Sequence, residues 1–223
     1  MSDAPMLAIF DHDGVLVDSL EHHQHAWLEL GRRTGLPITD RFIKETFGMT
    51  NPSIFERLMG KPLDVETLAR YSDIKEGCYR DLARGKIVLL PGIQALLDGL
   101  TNSKVRLAIG SSGVLPNLLL TVESCRLDGR FAAISSLEDI KRGKPDPEVF
   151  LVAAKKAGVV PARSVVFEDA TFGIVAAKAA GMHAVGVTTT NHADLLWEAG
   201  ADEVVHTFVG YDTAALVERL ARG

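Results

Sequence analysis

Two aspartates, two residues apart, follow a short apolar run near the start of the chain. Asp11 and Asp13 come directly after residues 7–10, and the neighbouring Gly14 permits a tight turn. A carboxylate at the end of a buried strand costs free energy unless it is paired or binds a cation. The pair therefore indicates a reactive or metal-binding site, although two aspartates in this position could also do no more than cap a turn.

Two serines form a second candidate group. Ser111 and Ser112 follow the apolar run 105–109 and precede a segment with helical spacing. Small residues with hydroxyl groups and free backbone amides can hold the oxygens of a phosphate group at such a position. A serine–glycine turn after a strand is also common without any ligand, so this group carries weight only together with others.

A second acidic pair and one lysine complete the set. Glu168 and Asp169 end the run 164–167 and are followed by small residues and a predicted helix. Lys144 lies in a loop between these runs, where Pro145 restricts the backbone of the lysine before it. A single loop lysine is usually solvated, so Lys144 by itself is weak evidence of a site.

These side chains come together if the apolar runs are strands of one parallel sheet. The carboxyl ends of such strands share one edge, and ligands bind in the crevice there. Several carboxylates crowded into such a cleft repel one another, which favours binding of a hard divalent cation. Oxygen ligands without His or Cys favour magnesium over zinc. The residues predicted at this edge are Asp11, Asp13, Ser111, Glu168 and Asp169, with Lys144 reaching it from its loop.

The elements that must position these residues follow an α/β pattern. Short apolar or β-branched runs alternate with segments of helical spacing, which is typical of a parallel sheet covered by helices. We predict a Rossmann-like three-layer core. Its strands are predicted at 7–10, 105–109, 132–135, 164–167, 184–187 and 203–206, and its helices at 115–124, 147–157, 172–180, 193–199 and 213–221.

One segment interrupts this alternation. From about residue 20 to residue 86 the sequence indicates helix after helix, separated by Gly and Pro, without a strand pattern. We interpret it as an inserted all-helical cap rather than as an extension of the helical layer. The predicted division is an α/β catalytic core of residues 1–18 and 88–223 and a helical cap domain of residues 19–87.

Composition narrows the class of partner. The 223 residues include 29 acidic and 24 basic ones, and the isoelectric point is near 5.8. This balance disfavours nucleic acid, whose phosphates select basic surfaces. No apolar run approaches the roughly 20 residues of a membrane span, and the sequence starts without a secretory pattern. Cys78 and Cys125 have no metal-type spacing and are expected to be free thiols. We predict a cytoplasmic protein, a monomer or weak homodimer, that acts on small molecules.

The four groups, in this order, resemble the motifs of the haloacid dehalogenase superfamily of phosphatases. The first and last motifs are specific, whereas the serine is not. The helical insertion after the first motif resembles the small cap of the β-phosphoglucomutase-like subgroup. The resemblance rests on Asp-x-Asp-Gly-Val-x-x-Asp-Ser from Asp11 to Ser19, on Ser111, on Lys144 in Gly-Lys-Pro-Asp-Pro and on Glu168-Asp169, with Gly173 opening the next helix.

This resemblance implies a magnesium-dependent phosphatase with an aspartyl-phosphate intermediate. Asp11 would be the nucleophile, and Asp13 would protonate the leaving oxygen and then activate water. Mg²⁺ would be held by Asp11, the backbone carbonyl of Asp13 and Asp169, with Glu168 as a supporting ligand. The remaining phosphate oxygens would be held by Ser111, the amide of Ser112 and Lys144.

Two alternatives stay open, namely a sugar phosphomutase of the β-phosphoglucomutase type and a non-catalytic phosphate-binding protein. A histidine of the mutases corresponds to His23, which would face the substrate from the cap. The mutases also carry a lysine and an arginine around a cap glycine, and the matching Phe-Gly-Met-Thr-Asn at 47–51 lacks both. A second phosphate site needs such cations. We therefore predict hydrolysis of a small phosphorylated metabolite such as a sugar phosphate.

Three other histidines receive no functional role. His12 lies between the two aspartates and should point to the opposite side of the chain if strand alternation persists. His22 and His25 lie about one helical turn apart, but no further ligand is evident, so we do not expect a second metal site there.

Overall fold

Six parallel strands form one sheet at the centre of the core. The computed structural model describes residues 4–222. In this range the strands lie in the order β3-β2-β1-β4-β5-β6, and every neighbouring pair is parallel. The strands are β1 (Met6–Phe10), β2 (Val105–Gly110), β3 (Ala133–Ser135), β4 (Ser164–Glu168), β5 (His183–Val187) and β6 (Glu203–Val205). The predicted α/β class and all six predicted strands are confirmed, to within one residue at each end.

The helices of the core cover both faces of this sheet. They are α5 (Ile93–Asn102), α6 (Leu115–Ser124), α7 (Glu148–Ala157), α8 (Thr171–Ala179), α9 (Ala193–Glu198) and α10 (Thr213–Arg222). Five of these helices match the predicted ranges to within one residue. Helix α5 was not predicted from the sequence, although its buried residues have helical spacing, namely Ile93, Leu96, Leu97 and Leu100.

The side chains of β1 show how the three layers form. Ala8 and Phe10 are fully buried in a cluster with residues of α5, α6 and α10. Leu7 and Ile9 point the other way, into a cluster with residues of α7, α8 and α9. Because both faces are covered, the central strands are apolar along most of their length. This explains why continuous apolar runs located them so well.

Four helices between β1 and β2 form the helical cap. They are α1 (Leu20–Thr34), α2 (Asp40–Thr46), α3 (Asn51–Met59) and α4 (Val65–Ala83). The side chains of Thr39, Thr50 and Asp64 accept hydrogen bonds from backbone amides at the starts of α2, α3 and α4. The cap has a small core of its own around Trp27 and Phe55. The inserted helical cap is thereby confirmed, whereas its division from the core at residues 18 and 88 stays a prediction.

The chain leaves the core and returns to it at neighbouring points. Val17, before α1, forms a β-bridge with Leu89, which follows the cap. The amide of Leu90 also donates to the carbonyl oxygen of Leu16, at 2.9 Å. The two connections therefore run side by side under the cap.

Within residues 4–222, no helix is both long and apolar enough to cross a membrane. Cys78 and Cys125 are free and half-buried.

Two glycines allow acidic side chains to approach the backbone. A Cβ atom on Gly14, whose φ is +77°, would lie 1.9 Å from Oδ2 of Asp169. A Cβ atom on Gly173, inside α8, would lie 2.1 Å from the carboxyl carbon of Glu168. Both positions therefore require glycine because of the carboxylates at the end of β4, and not because of the local helix or turn alone.

The substitution Gly173→Ala tests this close approach. Helix propensity by itself favours alanine by about 1 kcal/mol, but the clash with Glu168 should outweigh it and lower the free energy of unfolding by about 1–3 kcal/mol. Urea denaturation measures the change. The matched control is Gly77→Ala in α4, where no atom lies within 4 Å of the added Cβ, and which should stabilise the protein. Equal effects of the two substitutions would contradict the explanation.

Candidate active site

The carboxyl ends of β1, β2 and β4 bring the predicted site residues to one edge of the sheet. The amide of Asp11 donates to the carbonyl oxygen of Phe167 at 3.0 Å, which keeps β1 and β4 paired one residue beyond the end of β1. The amide of Ser111 donates in the same way to the carbonyl oxygen of Ser135 at 3.0 Å. Glu168 is the last residue of β4. The sheet therefore fixes the positions of the two central carboxylates and the serine.

Lys144 reaches this edge from its loop, as the sequence predicted. Its Nζ atom donates to Oδ1 of Asp11 and to Oε2 of Glu168, at 2.7 Å in both cases. It also lies 4.9 Å from the centre of the Phe150 ring. Burial disfavours the ammonium, but the two carboxylates outweigh this effect and raise the pKa of Lys144 above its usual value. Lys144 is therefore a fixed buried cation.

Three carboxylates form a buried acidic cluster beside this lysine. One oxygen each from Asp11, Glu168 and Asp169 lies within 4.8 Å of the others. Burial is the main cause that raises the pKa of each of them, and the charge of Asp11 adds to the effect on the other two. The pKa of Asp169 reaches about 7. A single lysine does not balance the cluster, and three oxygen donors this close together fit a hard divalent cation such as Mg²⁺.

The loop after β5 supports the acidic cluster. This loop was not among the site residues predicted from the sequence. Thr190 Oγ1 donates to Oδ2 of Asp169, and Asn191 Nδ2 donates to the carbonyl oxygen of Asp169 at 3.0 Å. Thr189 Oγ1 donates to the carbonyl oxygen of Gly14 at 2.5 Å. These residues have no distinctive spacing. Their position directly after the carboxyl end of a predicted strand is the one signal that could have pointed to them.

Asp13 lies apart from the acidic cluster, among hydrogen-bond donors. Its Oδ1 atom accepts from the Ser19 hydroxyl, from His12 Nδ1 at 2.9 Å and from His23 Nε2 at 3.1 Å. Burial alone would raise the pKa of Asp13, but the two histidines hold it well below its usual value. Asp13 is therefore a carboxylate in this arrangement.

The expectation that His12 points away from the site is wrong. Its Nδ1 atom contacts Asp13, and its Nε2 atom lies 2.7 Å from the hydroxyl of Thr121 on α6. Strand alternation does not apply, because β1 ends at Phe10 and the chain turns, with the amide of Leu16 bonded to the carbonyl oxygen of His12. Burial opposes protonation, but the Asp13 carboxylate raises the pKa of His12 above its usual value.

His23 connects the cap to Asp13. Lys75 Nζ donates to His23 Nδ1 at 2.8 Å, so the ring proton sits on Nε2 and is donated to Asp13. The ring stacks on Tyr79, with 4.1 Å between centroids. Burial and the charge of Lys75 lower the pKa of His23, which keeps the ring neutral. His23 thus lies where the family resemblance suggests, whereas the contact with Lys75 had no signal in the sequence.

A small cavity lies between the cap and the core directly above Asp11. The enclosed space is about 40 Å³, which holds water molecules but not a sugar ring. Ser111 and Ser112 line it from the core, and Phe47 and Met49 from the cap. Phe55, by contrast, is fully buried inside the cap. A sugar ring therefore fits into this cavity only if the cap moves away from the core.

Comparison with known proteins agrees with this arrangement. A model of the haloacid dehalogenase-like hydrolase family matches residues 8–187, a range that includes all the motif residues. The chain belongs to this family. Validoxylamine A 7'-phosphate phosphatase of Streptomyces hygroscopicus subsp. limoneus is 33% identical over 208 residues, which cover 86% of this chain and 90% of that protein. The relatives of this haloacid dehalogenase-like hydrolase include several named phosphatases. It is therefore a phosphoric monoester hydrolase.

The similar proteins also include phosphomutases. β-Phosphoglucomutase of Bacillus subtilis is 34% identical over 187 residues, which cover 80% of this chain and 81% of that protein. A crystal structure of β-phosphoglucomutase from Clostridium difficile superposes with a TM-score of 0.85 at 26% identity, and the match covers 98% of both chains. The cap and core of this hydrolase therefore resemble those of the β-phosphoglucomutase-like members of its family.

The raised pKa of Asp169 predicts how stability depends on pH. Burial and the neighbouring charge of Asp11 raise this pKa from 3.8 to about 7. The protonated side chain is thus favoured in the folded state, and its contribution to stability is lost as the pH rises from about 4 to about 7. Asp169→Asn cannot ionise, so its free energy of unfolding relative to wild type should increase over this interval in magnesium-free buffer.

Urea denaturation at several pH values measures this difference. Asp73→Asn removes an exposed carboxylate from α4 and should show no such trend. A relative stability of Asp169→Asn that stays flat or falls between pH 4 and pH 7 would show that the folded protein does not penalise ionisation of this side chain.

Proposed function

We propose that this chain is a magnesium-dependent phosphatase that hydrolyses a small phosphorylated metabolite, a sugar phosphate, through an aspartyl-phosphate on Asp11. The observation that carries the proposal is the separation of two carboxylates. Asp11 lies in the acidic cluster with Lys144, at 2.7 Å, while Asp13 is held on the cap side by His12 and His23. One carboxylate is thus placed to attack phosphorus, and the other to move a proton.

The first step would transfer the phosphoryl group to Asp11. A carboxylate oxygen of Asp11 forms a bond to phosphorus while the bond to the ester oxygen breaks. Asp13 delivers a proton to that oxygen, and it would take up this proton beforehand with the cap open, where His23 no longer donates to its carboxylate. In the second step Asp13 takes a proton from water, which attacks the aspartyl-phosphate and releases inorganic phosphate. Ser111, the amide of Ser112 and Lys144 would hold the phosphate oxygens during both steps.

The acidic cluster provides the proposed magnesium site. The residues that would hold the ion are Asp11, Asp169 and, through its backbone carbonyl, Asp13, with Glu168 in support. When bound, Mg²⁺ would neutralise negative charge on the transferring phosphoryl group. Thr190 and Asn191 would keep Asp169 in place for this role, since they bond its carboxylate and its carbonyl oxygen.

A phosphomutase of the β-phosphoglucomutase type remains the second candidate. The similarity to β-phosphoglucomutases and the position of His23 favour it. A bisphosphorylated intermediate, however, needs cations for its second phosphate. Lys75 is the one Lys or Arg among the described residues that line the cavity, and two of its three N–H groups are already donated to Glu76 and His23. This small number of cations around the cavity favours hydrolysis.

A non-catalytic phosphate-binding protein is disfavoured because every residue type that the reaction requires is present at the site. The expectations of a cytoplasmic location, of a monomer or weak homodimer, and of no binding to nucleic acid or membranes remain predictions from the sequence.

The substitution Asp11→Asn tests the proposed nucleophile. Release of phosphate from a panel of sugar phosphates should require Mg²⁺, and the substitution should lower kcat by at least about three orders of magnitude because no aspartyl-phosphate can form. Asp73→Asn, on the cap surface, serves as the control and should keep wild-type kcat. Full activity of Asp11→Asn, or activity of the wild type in excess chelator, would refute the mechanism.

Product analysis separates the phosphatase from the phosphomutase. With β-glucose 1-phosphate, Mg²⁺ and a trace of β-glucose 1,6-bisphosphate, we expect glucose and inorganic phosphate in equal amounts. Chromatography with a phosphate assay measures both products. Accumulation of glucose 6-phosphate with little free phosphate would instead establish the mutase.

A further inference from the structure

Glu76 is a buried carboxylate that faces the cavity from the cap. Its Oε1 atom accepts hydrogen bonds from Asn51 Nδ2 at 2.8 Å and from Lys75 Nζ at 2.9 Å. Its Oε2 atom accepts from Asn117 Nδ2 at 2.6 Å. Asn117 belongs to α6 of the core. Glu76 therefore lies at the junction of cap and core, directly beside the space above Asp11.

The hydrogen bonds of this carboxylate leave one acceptor position open. An ionised carboxylate can accept about four hydrogen bonds, and Glu76 receives three, so Oε2 can accept one more. Burial opposes ionisation, but the charge of Lys75 holds the pKa of Glu76 below its usual value. The side chain thus stays an acceptor and offers no proton of its own.

Ser112 offers a second open position in the same cavity. Its hydroxyl oxygen is buried and has no hydrogen-bond partner within residues 4–222, and the residue as a whole is 7% exposed. A buried hydroxyl without a partner is uncommon, because it loses its hydrogen bonds to water without replacement. Ser112 lines the cavity together with Glu76, so a bound molecule could satisfy both groups.

The charge of the cavity limits what can bind next to Glu76. The ammonium of Lys75 is already bonded to Glu76 and to His23. A second phosphate or a carboxylate on the substrate would meet Oε2 of Glu76, whereas the ammonium of Lys75 bonds to Oε1, and like charges repel strongly where water is excluded. On the cap side Trp27, Ile43 and Ile54 provide apolar surface that suits the C–H groups of a carbon chain or ring.

We infer that Glu76 and Ser112 form the subsite for the leaving group, and that this subsite selects an uncharged polyhydroxylated one. Hydroxyl groups of a sugar, sugar alcohol or cyclitol would donate to Oε2 of Glu76 and bond to Oγ of Ser112. Esters with a second phosphate would be poor substrates. The inference rests on the proposed phosphatase function and adds the chemical class of the substrate to it.

The test compares esters whose leaving groups differ in hydroxyl content. Two values of kcat/KM are measured with Mg²⁺. The first is for sorbitol 6-phosphate or fructose 1-phosphate, whichever ester is the better substrate, and the second is for p-nitrophenyl phosphate. The first value divided by the second is the ratio compared between variants. Glu76→Gln should lower this ratio about ten- to a hundredfold, since a hydrogen bond to a charged group is lost. In the wild type, kcat/KM should be lower for fructose 1,6-bisphosphate than for fructose 1-phosphate. Glu76→Gln removes the negative charge beside the leaving group and should make the difference between these two values smaller.

Ser112→Ala provides a variant that should fold normally, because this hydroxyl has no internal hydrogen bond to lose. It should lower the same ratio about three- to tenfold. Asp73→Asn removes the same charge as Glu76→Gln from an exposed position on the same helix and should leave the ratio unchanged. Melting temperatures identify any variant that is not folded.

The outcomes separate the two proposals. If the wild type releases phosphate from none of these esters, the phosphatase function itself is wrong. If it hydrolyses them but prefers the bisphosphate, or if both Glu76→Gln and Ser112→Ala keep the wild-type ratio, the function stands and the assignment of the subsite is wrong.

Discussion

The electrostatic repulsion among the buried carboxylates at the end of the sheet is the constraint on which the site depends. Asp11, Glu168 and Asp169 lie within 4.8 Å of one another, and Lys144 compensates part of their charge through two hydrogen bonds of 2.7 Å. Removing one partner of such a buried network leaves charges without compensation, at a cost of several kcal/mol. The fold tolerates the cluster because glycines, a lysine and the loop after β5 all surround it.

Most of the core and of the acidic cluster could be predicted from the sequence. The strands are buried on both faces, so continuous apolar runs marked them, and the candidate site residues Asp11, Ser111 and Asp169 follow the strand ends directly. Knowing that parallel strands end at one edge was then sufficient to bring Asp11, Ser111 and Glu168 together. Lys144 was harder to place, since a single loop lysine gives no direction, and its prediction at this edge depended on the other site residues; the family resemblance then added to it.

The residues that the sequence did not reveal share a physical reason. Glu76, Lys75 and Asn117 matter because the cap lies on the core, and no local sequence pattern describes contacts between residues of the cap and residues of the core. His12 was misplaced because the prediction extended strand geometry past Phe10, where the chain already turns. Helix α5 was not predicted, although its buried residues Ile93, Leu96, Leu97 and Leu100 have helical spacing.

The bridge between Val17 and Leu89 has a consequence for how specificity is encoded. Seen from the sheet, residues 18–88 form one closed loop whose two ends meet, so the register of the strands does not depend on what the loop contains. The proposed nucleophile, the acidic cluster and the proposed phosphate-binding residues thus all lie outside the loop, whereas the loop supplies Glu76 to the proposed leaving-group subsite. A loop of different length would change the surface that faces the leaving group, together with the contact between His23 and Asp13, while the two connections could still meet at the same bridge.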